Sequence, residues 1–351
     1  MDAIDIGGRL VGPDQAPFVI AEMSGNHNHS LERALEIVDA AADAGAHAIK
    51  IQTYTANTLT LDVEAGEFII DDPNSLWFGR SLHSLYDEAH TPWEWHEAIF
   101  ARARDRGLIA FSTPFDGTAV DFLETLDSPC YKIASFENTH LPLIRKAAST
   151  GKPLIVSTGM ATEAELAELA EAARSAGCID LILLKCTSTY PAAPEDSNLA
   201  SIPDMRERFG CLVGLSDHTM GTAVSVASVA LGAVAIEKHF TLARADGGVD
   251  SEFSMEPEEL TALVHDTERA WRALGGVSYG PTPAEGASLQ FRQSIYISSD
   301  VEAGALLTAD NVRIVRPGLG LAPKHYDEVI GKHVARAASK GTAVTWDLLE
   351  G

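Results

Sequence analysis

Eight times the chain repeats one pattern: a short apolar run, a polar or charged residue where the run ends, and a helix-like stretch. The runs are residues 18–23, 48–53, 108–115, 130–135, 153–159, 180–187, 212–219 and 234–241. Each is rich in Ile, Val, Leu or Phe, and seven of the eight lead with little loop into an amphipathic segment, as buried parallel strands feeding crossover helices do. Eight such units predict an α/β fold, a (β/α)8 TIM barrel, whose active site lies at the carboxyl ends of the strands. Those ends carry Glu22, Lys50, Gln52, Thr113, Ser135, Glu137, Ser157, Ser188, His218 and His239. The chemistry-bearing residues therefore converge on one rim.

At 351 residues the chain exceeds what one barrel needs, so a second, small domain is expected. The barrel is expected over residues 1–275 and a linker rich in Gly, Pro and Ser over 276–290. The tail, 291–351, has short strand-like pieces at 294–297, 312–315 and 343–346 between Gly turns, which predicts a mostly β domain with little core of its own. Inside the barrel one long excursion, residues 54–93, carries Trp77, Phe78, Tyr86 and Trp93 and predicts an ordered flap over the rim. No signal peptide is expected, because residues 1–11 lack a basic start and an apolar stretch. No apolar segment reaches the roughly 18 residues of a spanning helix. Cys130, Cys178, Cys186 and Cys211 are scattered, which suits buried thiols in a cytoplasmic protein. With 26 basic against 50 acidic residues, a net charge of −24, the surface repels nucleic acid and anionic lipid. An anionic substrate therefore needs positive charge concentrated inside the cleft.

Two phrases carry the most chemistry. Gly-Leu-Ser-Asp-His-Thr at 214–219 closes the seventh run and Glu-Lys-His-Phe-Thr at 237–241 closes the eighth. Adjacent strand ends bring His218 and His239 within reach of one divalent ion, with positions left open for water and substrate. Asp217 and Glu237 are expected to orient the rings. Lys50 and Lys132 lie within apolar strands, so each ammonium needs an anionic partner: Glu22 or Glu137 in a structural ion pair, or a bound phosphate or carboxylate. Thr113, Ser135, Ser157, Ser188 and Ser216 add a ring of hydroxyls, and hydroxyls with two lysines suit a small dianion.

The phrases at 20–28 (Ile-Ala-Glu-Met-Ser-Gly-Asn-His-Asn), 49–54 (Ile-Lys-Ile-Gln-Thr-Tyr), Ser-Thr-Pro-Phe, Tyr-Lys-Ile-Ala-Ser and Ser-Thr-Gly-Met, with the two above, resemble the sialic acid synthase family, in order through the barrel. The tail, with Val-Glu-Ala-Gly at 301–304, Leu-Thr at 307–308 and Arg-Pro-Gly at 316–318, is similar to that family's antifreeze-like (SAF) domain. The resemblance implies condensation of phosphoenolpyruvate with the open-chain aldehyde of an N-acylated amino sugar, giving a nonulosonic acid and phosphate. It implies that Lys50, Thr113, Lys132, Ser135, Ser157, Ser188 and Ser216 hold phosphoenolpyruvate, and that His218 and His239 hold Mn2+, or Mg2+ or Co2+. Glu22, Gln52, Tyr190 and Asp250 would face the sugar and the attacking water, with Glu22 or Glu137 as the base. Arg316 would reach the sugar pocket of the partner subunit in a domain-swapped homodimer.

Within the family, residues 75–82, Leu85-Tyr86, residues 91–95 and the segment 186–191 resemble the pseudaminic acid synthase branch. Many neuraminate synthases have Asn where Ser188 stands. That branch takes a 2,4-diacetamido-2,4,6-trideoxy sugar, whose methyl and acetamido groups suit an aromatic flap; neuraminate and legionaminate are the alternatives. Another metal-dependent barrel aldolase or hydrolase would release no phosphate from phosphoenolpyruvate. A noncatalytic carbohydrate-binding protein would leave the strand-end polar set without a task.

Overall fold

The computed structural model describes residues 2–73 and 75–350, in two compact units that divide between Gly275 and Gly276. The first begins with an antiparallel hairpin, β1 (Ile4–Ile6) and β2 (Arg9–Val11). Its turn residues Gly7 and Gly8 both have positive φ, 58° and 89°, the backbone that a tight two-residue hairpin demands. Then β3 (Phe18–Glu22), β4 (Ala48–Thr53), β5 (Ile109–Pro114), β6 (Tyr131–Ile133), β7 (Leu154–Ser157), β8 (Leu181–Cys186), β9 (Leu212–Ser216) and β10 (Ala235–His239) follow. They pair in parallel, and β10 returns to β3 to close the barrel.

Strand alternation sorts the side chains into two cores. Phe18, Ile20, Phe111, Ile155, Ile182 and Leu184 point inward and form a plug with Ile4, Ile6 and Val11 of the hairpin. The hairpin was not foreseen; it covers the apolar interior that would otherwise open at the barrel's lower mouth. Val19, Ile49, Val156, Leu183 and Val213 point outward beneath the helices. The helix Leu31–Asp43 shows how the outer layer is built. Ser30 caps it by accepting a hydrogen bond from the Arg33 N–H at 3.2 Å, and Ala34, Ile37, Val38 and Ala41 recur at helical spacing on its buried face. Truncating Ile37 to Ala should cost about 2–5 kcal/mol. Among the described residues no helix is long and apolar enough to cross a membrane.

Between β4 and the helix His96–Asp105 lies the flap. It contains helices Ala56–Leu59 and Leu82–Ala89, a 3-10 turn at Gly66–Phe68 and a bridge between Ile69 and Ser81. Trp93 closes its base, donating from Nε1 to the Tyr54 carbonyl at 3.1 Å and stacking on Phe122.

The second unit pairs β11 (Ser294–Ile297) with β12 (Val312–Val315). The third piece, 343–346, does not form a strand: it makes a single bridge from Ala343 to Tyr296 and then turns into the 3-10 helix Trp346–Leu348. Nor is the unit short of a core, since Ile295, Ile297, Leu307, Val329, Val334 and Val344 are packed out of solvent together. Within the stretch read as linker, a Thr282–Glu285 capping box starts the exposed 3-10 run Pro283–Phe291.

Candidate active site

The carboxyl ends of the strands enclose a cavity of about 380 Å³. Because alternate residues face inward, Glu22, Lys50, Gln52, Lys132, Ser157, Cys186, Ser216, Glu237 and His239 reach it from seven strands, and Ser135, Glu137, Tyr190, His218 and Asp250 reach it from the loops that follow. Thr113 and Ser188 do not line it. Thr113, opposite Gln52 in the strand register, accepts a hydrogen bond from Lys50 Nζ at 3.0 Å, while the Ser188 hydroxyl lies 3.8 Å from Cys186 Sγ. Arg316 is an exposed residue of the second unit.

Lys50 Nζ is 2.6 Å from Glu22 Oε2 and 3.8 Å from Glu237 Oε2. Lys132 pairs with neither expected carboxylate: its ion-pair partner is Glu237, at 3.7 Å, and it donates to Ser157 Oγ at 2.6 Å. Glu237 thus sits between both ammonium groups and accepts from Ser216 Oγ at 3.1 Å. This role follows from depth in the barrel, which sequence order does not specify. Burial pushes the Glu237 carboxyl up, but Lys132 and Lys50 outweigh it and hold the group below its ordinary value. Lys50 is raised, since Glu22 and Glu237 overcome its burial, whereas burial leaves Lys132 lowered. Glu22, buried and accepting from Gln52 at 2.8 Å, is raised. Glu137 is pushed up to about 7 by burial, only partly countered by Lys132, and its Oε2 has no hydrogen-bond partner.

The two imidazoles meet as the strand-end phrases predicted, with ring centroids 5.4 Å apart. Asp217 and Glu237 do not orient them. Asp217 points to the other side of the strand, toward Lys238, and Glu237 turns to the lysines. His218 is oriented instead by the Thr187 carbonyl, 2.8 Å from Nδ1, which leaves its Nε2 as the free donor atom. His239 is kept neutral by burial and by the cation field of His218 and the lysines, and its buried Nδ1 is unpartnered. A ligand-ready, neutral imidazole beside an oriented one fits a divalent cation. Among the described residues no three His, Cys, Asp or Glu side chains are grouped to hold a metal, so such a cation would take its remaining ligands from water and substrate.

Cys186 escaped the sequence reading, which treated the four thiols as inert. All four are free and buried, but Cys186 opens on the cavity 4.0 Å from His218 Nδ1, where that ring and Lys132 bring its thiol down to about 7 against the effect of burial. Its position at the carboxyl end of β8, two residues on from the inward-facing Leu184, was the available signal.

A closed parallel barrel with buried lysines, hydroxyls and paired imidazoles at its strand ends defines a synthase-type barrel site, and the comparisons identify which. The NeuB family model matches residues 37–279 and the SAF domain model matches residues 292–350. The chain belongs to the NeuB family. It is 44% identical to the pseudaminic acid synthase of Campylobacter jejuni over 94% of this chain and 96% of that protein. It is 40% identical to the Helicobacter pylori pseudaminic acid synthase over 96% and 98% of the two chains. The crystal structure of N-acetylneuraminic acid synthetase from Leptospira borgpetersenii in complex with citrate superimposes with a TM-score of 0.72 at 31% identity, covering 83% of this chain and 96% of that one.

Proposed function

We propose that the chain is a cytoplasmic transferase that condenses phosphoenolpyruvate with open-chain 2,4-diacetamido-2,4,6-trideoxy-L-altrose, giving pseudaminic acid and phosphate. One observation carries the reading: two ammonium groups, several hydroxyls and paired imidazoles open on a single cavity in a chain 44% identical to a pseudaminic acid synthase.

In this reading Lys50 and Lys132, with Ser135, Ser157 and Ser216, hold the phosphate and carboxylate of phosphoenolpyruvate. Thr113 supports Lys50 by accepting its hydrogen bond, and Ser188 supports the phosphate cradle beside Cys186. Gln52, Tyr190 and Asp250 face the sugar. C3 of phosphoenolpyruvate forms the new bond to the aldehyde carbon, whose oxygen takes up a proton. Water adds at C2, and phosphate leaves with the electrons of the C2–O bond, so that C2 becomes the ketone. Holding two small reactants in one cavity supplies much of the acceleration. We assign the proton transfer from water to Glu137 rather than Glu22. Glu22 is tied to Lys50 and Gln52, whereas the Glu137 carboxyl has a free oxygen and stands near 7, where a group both takes and gives a proton readily. His218 and His239 would hold Mn2+, or Mg2+ or Co2+, which when bound supplies Lewis-acid polarisation of the aldehyde oxygen. Arg316 is assigned to the sugar pocket of a partner subunit in a domain-swapped homodimer.

Phosphate release from phosphoenolpyruvate tests the proposal, using Mn2+ and a panel of acylated amino sugars. Release should require the diacetamido sugar, stop on chelation and return with added Mn2+. Release without any sugar, or none with the whole panel, would refute it.

A further inference from the structure

We propose that Trp77 is a specificity-determining residue that reads the end of the sugar remote from the aldehyde and demands a methyl group there in place of a hydroxymethyl group. The inference rests on the function proposed above and concerns the same cavity.

That cavity has two chemistries. Its floor is charged, while Ile70, Trp77, Leu82, Leu85 and Val249 present carbon on the flap side. The Tyr190 ring stands between them, 4.5 Å from His218 and 6.2 Å from Trp77 by ring centroids. An extended six-carbon chain with its aldehyde at the imidazoles therefore brings its last carbon to the flap wall. The indole has no donor to offer there, because Nε1 already donates to the Val249 carbonyl at 2.9 Å. Behind Val249 the backbone comes close. A Cβ built on Gly25 would stand 2.3 Å from Val249 Cγ2 and 3.4 Å from Ala89 Cα, so at this point the loop after β3 packs directly on the Val249 side chain and the flap helix. Asp250, the neighbour of Val249 in the lining, is engaged by the Ser24 hydroxyl and the Gly25 N–H. A hydroxyl laid against the faces of Trp77, Leu82 and Val249 loses water and gains no partner from them, whereas a methyl group gains contact.

The test compares kcat/KM for the 6-deoxy diacetamido sugar and its 6-hydroxy counterpart in the wild type, Trp77→Ala and Trp77→Gln. The wild type should prefer the deoxy sugar by roughly 100-fold, and opening the wall should cut that ratio about tenfold. Trp77→Gln, which places an amide at the wall, should cut it at least as far and decides the matter if the alanine variant does not fold. KM for phosphoenolpyruvate should stay unchanged in both. A preserved ratio, or equal losses for both sugars with a shifted phosphoenolpyruvate KM, overturns the role of Trp77 alone. No phosphate release by the wild type with either sugar overturns the functional proposal beneath it as well.

Discussion

Lysine and carboxylate are buried together on both sides of the same strand wall, and the two sets differ in how fully they are bonded. Behind the wall, Lys238 lies 3.2 Å from Asp217 and donates to the Thr219 carbonyl. Asp217 accepts from the Thr219 N–H at 2.9 Å, its hydroxyl at 2.8 Å and the Ser225 hydroxyl at 2.6 Å. Inside the barrel, Glu237 keeps 3.7 and 3.8 Å from its two lysines, and its Oε2, Glu137 Oε2 and His239 Nδ1 have no hydrogen-bond partner. A buried charge that is fully bonded holds two elements in register. One left short of partners beside a cavity is costly unless a ligand completes it.

Substitutions on the two sides should separate these roles. The largest loss of turnover is expected from Lys132→Met: kcat/KM for phosphoenolpyruvate should fall roughly 10³-fold with the fold retained, since a preorganised cation facing the phosphate is removed. Mixed with Arg316→Ala, this variant should regain part of the activity if sites are shared between subunits; no recovery removes the swapped homodimer. Glu137→Gln should lower kcat about 100-fold. The ionised carboxyl that accepts a proton is gained as pH rises through about 7, so wild-type kcat/KM should climb there, and the variant should lack that limb. Stability runs the other way. The unfolded carboxyl ionises first, at its ordinary 4.5, so the folded chain loses stability as pH rises through about 7, and the glutamine variant should lose that slope in thermal unfolding. A variant with an unchanged pH profile would exclude Glu137 as the base. Asp217→Asn should affect chemistry least: about 3–5 kcal/mol of stability in urea unfolding, from an uncompensated Lys238, with KM for phosphoenolpyruvate unaltered. A large KM change there would erase the distinction between the two faces.

Much of the site was legible because the polar residues that end or interrupt the apolar runs stand out from them. Glu22, Lys50, Ser157, Ser216 and His239, read as members of one rim, and Lys132, read as a lysine inside an apolar strand, all line the cavity. Which side chains meet was not legible. Thr113 is taken up by the Lys50 ammonium and Glu237 sits between two lysines, because barrel stagger sets which inward residues of neighbouring strands share a level. The direction of Asp217 was misread for a related reason. In the run Ser-Asp-His, Ser216 ends β9 facing in, so its neighbour faces out, and only the loop geometry beyond the strand brings His218 back to the cavity.

The pattern of apolar runs, their polar ends and the lysines within them determined the barrel, the rim and the need for an anionic partner, since these depend on local periodicity and on the cost of burying charge. Only the closed tertiary structure decided which carboxylate answers which lysine, that a thiol joins the imidazoles, that a hairpin stops the lower mouth and that Trp77 meets Tyr190 edge to face. Those relations join residues far apart along the chain, and they come from strand stagger and loop packing, which leave no periodic trace in the order of amino acids.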